Sequence, residues 1–543
     1  MNDSPSGKYR NMMLPVVFNG CFGWLHPGRP ENRYDIAVLL CAGVGQDFTN
    51  GYRPFRLLAN YLSAAGYPTL RFDYLRTGDS ADIDSKNLWQ VWLDNIDFAC
   101  SWLREHIKCT RLLVIGLRIG GTMAAITATR RNDIAGLVLI EPYLTGRSYV
   151  TQLVTEARIR GQVNSAGNIE SGEFNQTIES LAQIRTVDLS KLIFTSPLQV
   201  AIFTRTEYDR IFLRLKDLTN YNSTLSCSPL KGLEMFLRPC HHIGESDFDP
   251  KPILDWINTE IIPHVTSDSL SFNYSLHSAV DLPFCREVPL WFGQGQHLIG
   301  KLCQPCNVNT PGLVILICNA GGNPHHGFAR FGVELARSLA REGIASLRFD
   351  FAGIGDSICD INGIDAQTEI FTEDRTADIS AAINELTALG FNRFALHGLC
   401  SGAYHALLGA CADNRVNMLL AINLPWFSLR HEHPGPDSNT QICVDTLRSL
   451  RTISLFLYGE HDPGLRVLER HFGKGGSSLQ RDENFQLSVL HDLDHELTAS
   501  WMRREVTTQI IRFIDKNKRL LERPYLGGKS QHGNSKHHSR DDG

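Results

Sequence analysis

The chain has 543 residues, of which 43% are hydrophobic and 20% charged, and its formal net charge is −5. This length exceeds what one hydrophobic core usually serves, so we expect two domains. The slightly acidic balance gives no reason to expect a nucleic acid partner, and we expect neither a secretory signal nor a membrane span, because no apolar run is long enough.

The 14 cysteines lie scattered along the chain, mostly inside apolar segments such as VLLCAG and VILICNAGG. This pattern favours reduced thiols in a cytoplasmic protein over a disulfide framework. Cys303 and Cys306 have CxxC spacing, but no second such pair exists. We therefore expect no zinc site, and the sequence indicates no other metal or cofactor.

The predicted elements follow one order in each half of the chain. A hairpin start is followed by a buried strand (DIAVLLCAG), an amphipathic helix (YRPFRLLANYLSAAG), a short strand (TLRFDY), a helix, a strand-turn-helix and another strand (GLVLIEPY). LRFDYLRTGDS at 70–80 returns as LRFDFAGIGDS at 347–357, and GLRIGG at 116–121 returns as GLCSGA at 398–403. Apolar strands alternating with helices predict an α/β fold, with a mostly parallel sheet covered on both faces in each of two tandem domains.

The domain boundaries follow from composition. We predict a first domain over 1–262, a serine-rich linker over 263–283 and a second domain over 284–523. The tail, 524–543, is poor in apolar residues and is predicted to be disordered. After the sixth core strand the first copy carries an insert over about 143–196 and the second a shorter one over about 427–451. We expect these inserts to cap the pockets.

The strand-turn-helix of the second copy centres on GLCSG at 398–402. A nucleophile at the tip of such a strained turn projects from the carboxyl end of the sheet, and flanking glycines let strand and helix approach. With this pattern the second copy resembles the α/β-hydrolase superfamily, and Cys400 occupies the nucleophile position. The backbone N–H of Ser401 and that of Gly321 or Ala320, in CNAGGNPHHG, are then the expected oxyanion donors.

An acid and a histidine follow in the chain order of that superfamily. Asp462 comes after the strand ISLFLYG, and His495 comes after the next strand, FQLSVL. We predict that Cys400 attacks, that His495 acts as general base and then acid, and that Asp462 orients the imidazole. The structural alternatives are a core cysteine, a turn-forming aspartate in HDPG and a surface histidine.

Glu460 and His491 are the alternative acid and base. The repeat favours Asp462 and His495, because the first copy keeps Asp209 and His242 at the same separation, 242 − 209 = 495 − 462 = 33.

The cysteine at the nucleophile position limits the families within the superfamily that the second copy resembles. Within the superfamily, dienelactone hydrolases, bile-acid-CoA amino-acid acyltransferases and some terminal thioesterases use cysteine at this turn. The segment from GLVILICNAGG to DFAGIGDS also resembles serine-aminopeptidase-like hydrolases, including exosortase-associated ones. These resemblances imply an acyl hydrolase or acyltransferase that acts on an ester or thioester through a cysteinyl acyl-enzyme. A carrier protein or coenzyme A is a candidate bearer of the acyl group, and the oligomeric state is left open.

The first copy carries Arg118 where the second carries Cys400. A guanidinium is not a nucleophile, so we interpret this copy as catalytically inactive. Arg118 either forms a salt bridge with Asp209 or another carboxylate, or builds an anion site together with His242 and the helix N-terminus. The alternative function is accordingly a non-catalytic ligand-binding protein with an anion site at Arg118.

The remaining charged residues of the repeated segments have a structural interpretation. Four aspartates are expected to cap turns and helices near the pocket rim: Asp73, Asp79, Asp350 and Asp356. His325 and His326 are adjacent, and adjacent residues seldom reach one metal, so we expect them in the turn that lines the pocket.

Overall fold

The computed structural model describes residues 13–28, 34–163, 167–171, 174–194, 196–205, 224–239, 248–262, 278–307, 312–358, 374–426 and 440–521. Most of the predicted linker and the whole of the predicted tail lie outside the described residues. Within the described part of the chain, no helix is long and apolar enough to cross a membrane.

The first sheet has eight strands in the order β1-β2-β4-β3-β5-β6-β9-β10. Strand β2 pairs antiparallel with β1 and β4, and all other neighbours are parallel. Strands β7 and β8 form a separate hairpin. The strands are Leu14–Phe18 (β1), Cys21–His26 (β2), Ile36–Cys41 (β3), Thr69–Phe72 (β4), Arg111–Leu117 (β5), Ile134–Ile140 (β6), Ile169–Ser171 (β7), Phe174–Gln176 (β8), Gln199–Thr204 (β9) and Thr224–Pro229 (β10).

Helices connect and cover these strands. The α-helices are Gln46–Ala64 (α1), Leu88–Ile107 (α2), Ile119–Ala128 (α3), Gly146–Ile159 (α4), Ile178–Arg185 (α5) and Lys251–Trp256 (α6). Short 3-10 turns cover Leu189–Lys191 and Leu233–Phe236, and a π-turn, Ile257–Ile261, extends α6. Helices α4 and α5 lie in the predicted first insert.

The second sheet has nine strands in the order β11-β12-β13-β15-β14-β16-β17-β18-β19. The first three pairings are antiparallel and the rest parallel, as in the first sheet, with one extra edge strand. The strands are Val280–Asp281 (β11), Cys285–Phe292 (β12), Leu298–Pro305 (β13), Leu313–Ile317 (β14), Ala345–Asp350 (β15), Arg393–Leu399 (β16), Val416–Ile422 (β17), Ile453–Gly459 (β18) and Phe485–Leu490 (β19). Strand β11 lies inside the predicted linker, so the second sheet begins before residue 284.

The helices of the second half follow the same order. They are Phe331–Arg341 (α7), Thr376–Ala388 (α8), Ser401–Ala412 (α9), Thr440–Ser449 (α10), Pro463–Phe472 (α11) and Ser500–Leu521 (α12). Short 3-10 turns cover Gln294–Gln296, Phe328–Arg330, Lys474–Gly476 and Leu479–Arg481.

Apolar side chains cover both faces of each sheet. Neighbouring residues of one strand point to opposite faces, and Val38 and Leu39 enter two different cores. Ile315 and Leu316 do the same in the second sheet, and all four are fully buried. The prediction of two α/β domains with sheets covered on both faces is thus confirmed, and it rests on the continuous apolar runs of the parallel strands.

The two domains meet through a reciprocal exchange of aspartates. Asp79 of the first domain lies 3.5 Å from Arg348 of the second, and Asp356 of the second lies 2.5 Å from Arg71 of the first. These residues correspond in the repeat, because 356 − 79 = 348 − 71 = 277. Equivalent residues thus make equivalent contacts in both directions, as at a two-fold interface between identical subunits.

His325 is buried in this interface. Its Nε2 lies 2.8 Å from Asp79 of the first domain, and its Nδ1 lies 2.7 Å from Asp350 of its own domain. Burial alone would lower the pKa of His325, but the charges of the two aspartates raise it to about 10. His326 packs between the rings of Phe48 and Tyr52. Both histidines therefore face the first domain, where the sequence had suggested a turn lining the pocket.

Candidate active site

The turn at Cys400 has the strained backbone that the GLCSG pattern predicts. Cys400 follows β16 with φ 54° and ψ −122°, in the left-handed region that side chains rarely adopt, and α9 starts at the next residue. A Cβ on Gly398 would lie 2.1 Å from the Gly402 carbonyl carbon, and one on Gly402 would lie 2.5 Å from Asn319 O. Strand, helix and neighbouring turn therefore meet only because these two positions are glycine.

The structure brings three of the predicted site residues together. His495 Nδ1 lies 2.6 Å from Asp462 Oδ2, and the same imidazole is near enough to Cys400 for the thiol to raise its pKa. Asp462 is 4% exposed, and its other oxygen accepts the Gly464 N–H, which caps α11. The aspartate is thus fixed by the helix that it caps, and the histidine is held between a buried carboxylate and a partly buried thiol.

Electrostatics favour a protonated imidazole at this position. The hydrogen bond to Asp462, and after it the hydrogen bond to Cys400, raise the pKa of His495 to about 10, although burial opposes the shift. An imidazolium beside a cysteine sulfur stabilises negative charge on the sulfur, which is the reactive form.

Asn423 holds the segment that carries the histidine. It directly follows β17 with φ 48°, and its Nδ2 donates to His495 O at 3.0 Å and to Asp494 O at 3.3 Å. Its Oδ1 accepts the Gly459 N–H at the end of β18. The sequence patterns considered above did not single out Asn423. The available signal was a polar side chain at the carboxyl end of the buried strand MLLAINLPW.

The predicted oxyanion donors lie next to each other. Gly321 N–H donates to Ser401 Oγ at 2.7 Å, so this amide contacts the hydroxyl of the residue that follows Cys400. Ser401 is the first residue of α9, and its N–H therefore has no acceptor within the helix. The hydroxyl of Ser401 retains its own proton and can donate it onward. Ala320, the alternative donor, is the preceding residue of the same turn.

Asn319 fixes the turn that carries Ala320 and Gly321. Its Nδ2 donates to Asn323 O at 2.8 Å and to Asp350 Oδ1 at 3.1 Å, and its Oδ1 accepts the Phe351 N–H at 2.7 Å. Asp350 also binds His325, which reaches Asp79 in the first domain. A chain of hydrogen bonds therefore links the first domain to the turn that carries Gly321. Asp79 and Asp350 thus form contacts between elements beyond the turn caps that the sequence predicts.

The alternative acid and base pair with each other. His491 Nδ1 lies 2.7 Å from Glu460 Oε2, and the side chain of His491 is 86% exposed. Asp492 N–H donates to the same carboxylate. These contacts give Glu460 and His491 a structural role in the turn after β19.

In the first domain Arg118 adopts the same backbone as Cys400, with φ 53° and ψ −121°. Its Nε lies 3.5 Å from Asp47, and its guanidinium stacks 4.2 Å from the Tyr143 ring and donates to the Tyr143 hydroxyl at 2.5 Å. The carboxylate partner foreseen for Arg118 is thus Asp47. Asp209 and His242 lie outside the described residues, so the structure leaves the predicted Arg118–His242 pair without a description.

Metal ligands would need a cluster of free donor groups. Within the described ranges, the single group of suitable side chains in reach of one ion is His325, Asp350 and Asp356. Asp356 accepts from Arg71 and from Tyr52, and His325 lies between two carboxylates. These hydrogen bonds already use the donor atoms that a cation would need.

Comparison with known proteins gives structural neighbours only. A scan of protein-family models and a search of curated proteins find no match. A serine hydrolase without a lid from Xanthomonas campestris is 16% identical with a TM-score of 0.31, and the match covers 45% of this chain and 98% of that one. An esterase from Pyrococcus furiosus is 14% identical with a TM-score of 0.34, and the match covers 42% and 91%. Est1E from Butyrivibrio proteoclasticus is 15% identical with a TM-score of 0.30, and the match covers 42% and 99%.

Proposed function

We propose that the second domain is an acyl hydrolase or acyltransferase that works through a cysteinyl acyl-enzyme. The observation that supports this most is the set of side chains in which His495 lies 2.6 Å from Asp462 and is near enough to Cys400 for the thiol to raise the pKa of the imidazole. A nucleophile, a base and an orienting carboxylate in this order are what acyl transfer requires.

In the first half-reaction, the Cys400 thiolate attacks the carbonyl carbon of an ester or thioester. The carbonyl oxygen becomes an oxyanion, which the Ser401 N–H stabilises together with the Ser401 hydroxyl, whose oxygen accepts the Gly321 N–H. The carbon–oxygen or carbon–sulfur bond to the leaving group then breaks, and His495 gives its proton to that group. The product is a thioester on Cys400, and the alcohol or thiol leaves.

In the second half-reaction, neutral His495 takes a proton from water or from an amine as that acceptor attacks the thioester. Cys400 leaves as thiolate beside the newly protonated imidazole, which restores the starting charges. Asp462 stabilises the imidazolium throughout and keeps its Nδ1 proton in place. Amines attack thioesters readily, so the site can transfer the acyl group to an amine as well as hydrolyse the thioester. The acyl donor can be a thioester of a carrier protein or of coenzyme A.

We assign the first domain a supporting role in this reaction. Asp79 lies 2.8 Å from His325, and His325 connects through Asp350 and Asn319 to the turn with Gly321. Arg330 donates to the carbonyl oxygens of Gly78 at 2.7 Å and Ser80 at 2.6 Å. The first domain would therefore hold the oxyanion turn in position without contacting substrate.

The test is turnover of acetyl and longer acyl esters of p-nitrophenol and of acyl thioesters by purified full-length chain. Cys400→Ala should abolish turnover, whereas Cys306→Ala, which removes an exposed thiol, should leave it unchanged. Addition of an amine such as glycine ester would separate transfer from hydrolysis. Equal turnover by wild type and Cys400→Ala, with both chains folded, would refute the proposal.

The alternative function, a non-catalytic protein that binds an anion at Arg118, requires a guanidinium that is not already paired with a carboxylate. Asp47 already pairs with this guanidinium, so the contact geometry does not favour an anion site there.

A further inference from the structure

The first domain keeps a cavity at the position of its altered nucleophile turn. It has a volume of about 280 Å³, and the segment 44–50 that follows β3 forms one wall together with Tyr143 and Tyr149. Phe328 of the second domain also lines the cavity. Arg118 contacts two of the lining residues, Asp47 and Tyr143, so the altered turn lies next to this cavity.

The charges of the described residues around the cavity balance. Asp47 is paired with Arg118, which lies behind it, and the lining also includes one acidic side chain, Glu156, and one basic side chain, Arg160. Among the described residues, two acidic and two basic side chains thus leave no net charge to attract an anion or a cation. This balance favours an uncharged ligand.

The cavity wall offers hydrogen-bonding groups that are already oriented. Gln46 donates to Asn50 at 2.9 Å, and Gln152 donates to Glu156 at 2.9 Å while accepting from the Tyr143 hydroxyl at 2.9 Å. Each side-chain amide has two N–H donors and an oxygen with two acceptor sites, so capacity remains after these contacts. Amides and carboxylates beside aromatic rings suit a molecule that carries several hydroxyl groups on an apolar frame.

One buried group in the wall lacks a partner. Tyr149 is 5% exposed and lines the cavity, and its hydroxyl has no hydrogen-bond partner among the described residues. Buried polar groups are nearly always satisfied, and leaving one unpaired costs stability. A ligand in the cavity can supply the missing partner.

We infer that this cavity binds an uncharged polyhydroxylated small molecule of about the size of one sugar ring. The inference rests on the cavity, its neutral charge balance and the unpartnered Tyr149 hydroxyl, and it does not depend on catalysis by the second domain. Gln162, another lining residue, donates to Thr498 O at 3.2 Å in the second domain, so the cavity lies beside the segment that follows His495.

The experiment is calorimetric titration of the full-length chain with D-glucose, D-galactose, D-mannose and myo-inositol, with sodium phosphate, acetate and ethylammonium chloride as charged probes. We expect saturable millimolar binding of at least one neutral probe and no competing binding of the ions. Tyr149→Phe should weaken that affinity about fivefold to tenfold, the size of one lost neutral hydrogen bond.

Tyr61→Phe is the matched control, because Tyr61 lies on α1 outside the cavity lining. It should leave the affinity unchanged. The melting temperature of ligand-free Tyr149→Phe should equal or exceed that of wild type, because the change removes an unpaired buried hydroxyl. Absence of saturable binding by every neutral probe up to roughly 50 mM, tighter binding of phosphate, or unchanged affinity in Tyr149→Phe would each overturn the inference.

Discussion

The two halves of the molecule share a strained turn but carry different side chains on it. Arg118 and Cys400 have the same φ and ψ to within 1°, although one is a charged donor and the other a thiol. The fold therefore maintains this strained conformation whether or not a nucleophile occupies it. Backbone strain at this turn is therefore a property of the fold, and the chemistry depends on the side chains around it.

The residues after the sixth core strand differ in the same way. Asn423 and Glu141 correspond in the repeat, since 423 − 141 = 400 − 118 = 282, and both have positive φ. Asn423 holds the backbone of His495, whereas Glu141 accepts from the backbone and side chain of Arg205, each at 3.0 Å. The second domain thus uses this position to support its histidine segment, and the first uses it for an ion pair.

The largest effect should come from the turn residues themselves. Cys400→Ala should lower kcat at least about a thousandfold, because the covalent intermediate cannot form. Arg118→Ala, its counterpart, should change kcat less than about twofold, because the described contacts of Arg118 are with Asp47 and Tyr143 of the first domain. Steady-state kinetics on a p-nitrophenyl ester measures both. Comparable losses in the two variants would contradict the assignment of catalysis to the second domain alone.

The next largest effect should come from Asn423, which holds the segment that carries His495. Asn423→Ala removes both hydrogen bonds to the His495 segment and should lower kcat up to roughly a hundredfold, since small misplacements of a base are costly. The change should appear in kcat more than in KM. Glu141→Ala is the matched variant and should leave kcat near the wild-type value. A loss of kcat in Glu141→Ala as large as that in Asn423→Ala would contradict the role of Asn423 in holding the His495 segment.

The interface aspartate should give a smaller effect on turnover. Asp79→Asn removes the negative charge that pairs with His325, Lys301 and Arg348. We expect kcat to fall about tenfold with KM nearly unchanged. Loss of one partner from a buried ion cluster also destabilises, by about 3 kcal/mol, so the melting temperature should fall.

Exposed Asp84→Asn is the control for that variant. Thermal unfolding and kinetics on the same preparation separate positioning from unfolding, because a purely structural role would lower the melting temperature without changing kcat of the folded chain at low temperature. That outcome would remove the first domain from the catalytic account.

The smallest effect is on the pH dependence of stability. The pKa of folded His495 is raised to about 10, above its ordinary value, so the folded chain holds this proton more tightly than the unfolded chain. The stabilisation is complete below about pH 6.5 and is lost as the pH rises toward 10. Because the His495 side chain is 39% exposed, solvent screening keeps the change small.

Urea unfolding of wild type and His495→Gln at several pH values measures this stabilisation. The difference in unfolding free energy should be largest at acid pH and should shrink above neutrality. His491→Gln, which alters an exposed ring, serves as control. A difference that grows with pH would reverse the predicted sign.

Sequence patterns predicted most of the fold, because continuous apolar runs such as VILI and the alternation with helices are local signals of buried parallel strands. The pattern GLCSG predicted the turn, and the 33-residue separation shared by the two copies favoured Asp462 and His495 over Glu460 and His491.

The interface could not be predicted in this way. Asp79 and His325 are 246 residues apart in sequence, and nothing local distinguishes an aspartate that caps its own turn from one that also reaches a second domain. The partner of Arg118 illustrates the same limit. Asp47 is close to it only because β3 and β5 are neighbours in the sheet, so that the turns after these strands meet at one edge.

The most direct measurement of the central claim is peptide mass spectrometry of full-length chain quenched in acid after brief mixing with acyl thioesters of N-acetylcysteamine. We expect an acyl mass increment on the peptide containing Cys400, absent in Cys400→Ala and much reduced in His495→Ala, with no increment on exposed Cys306. An unmodified Cys400 peptide across the acyl series, or acylation of Cys306 to the same extent, would contradict it.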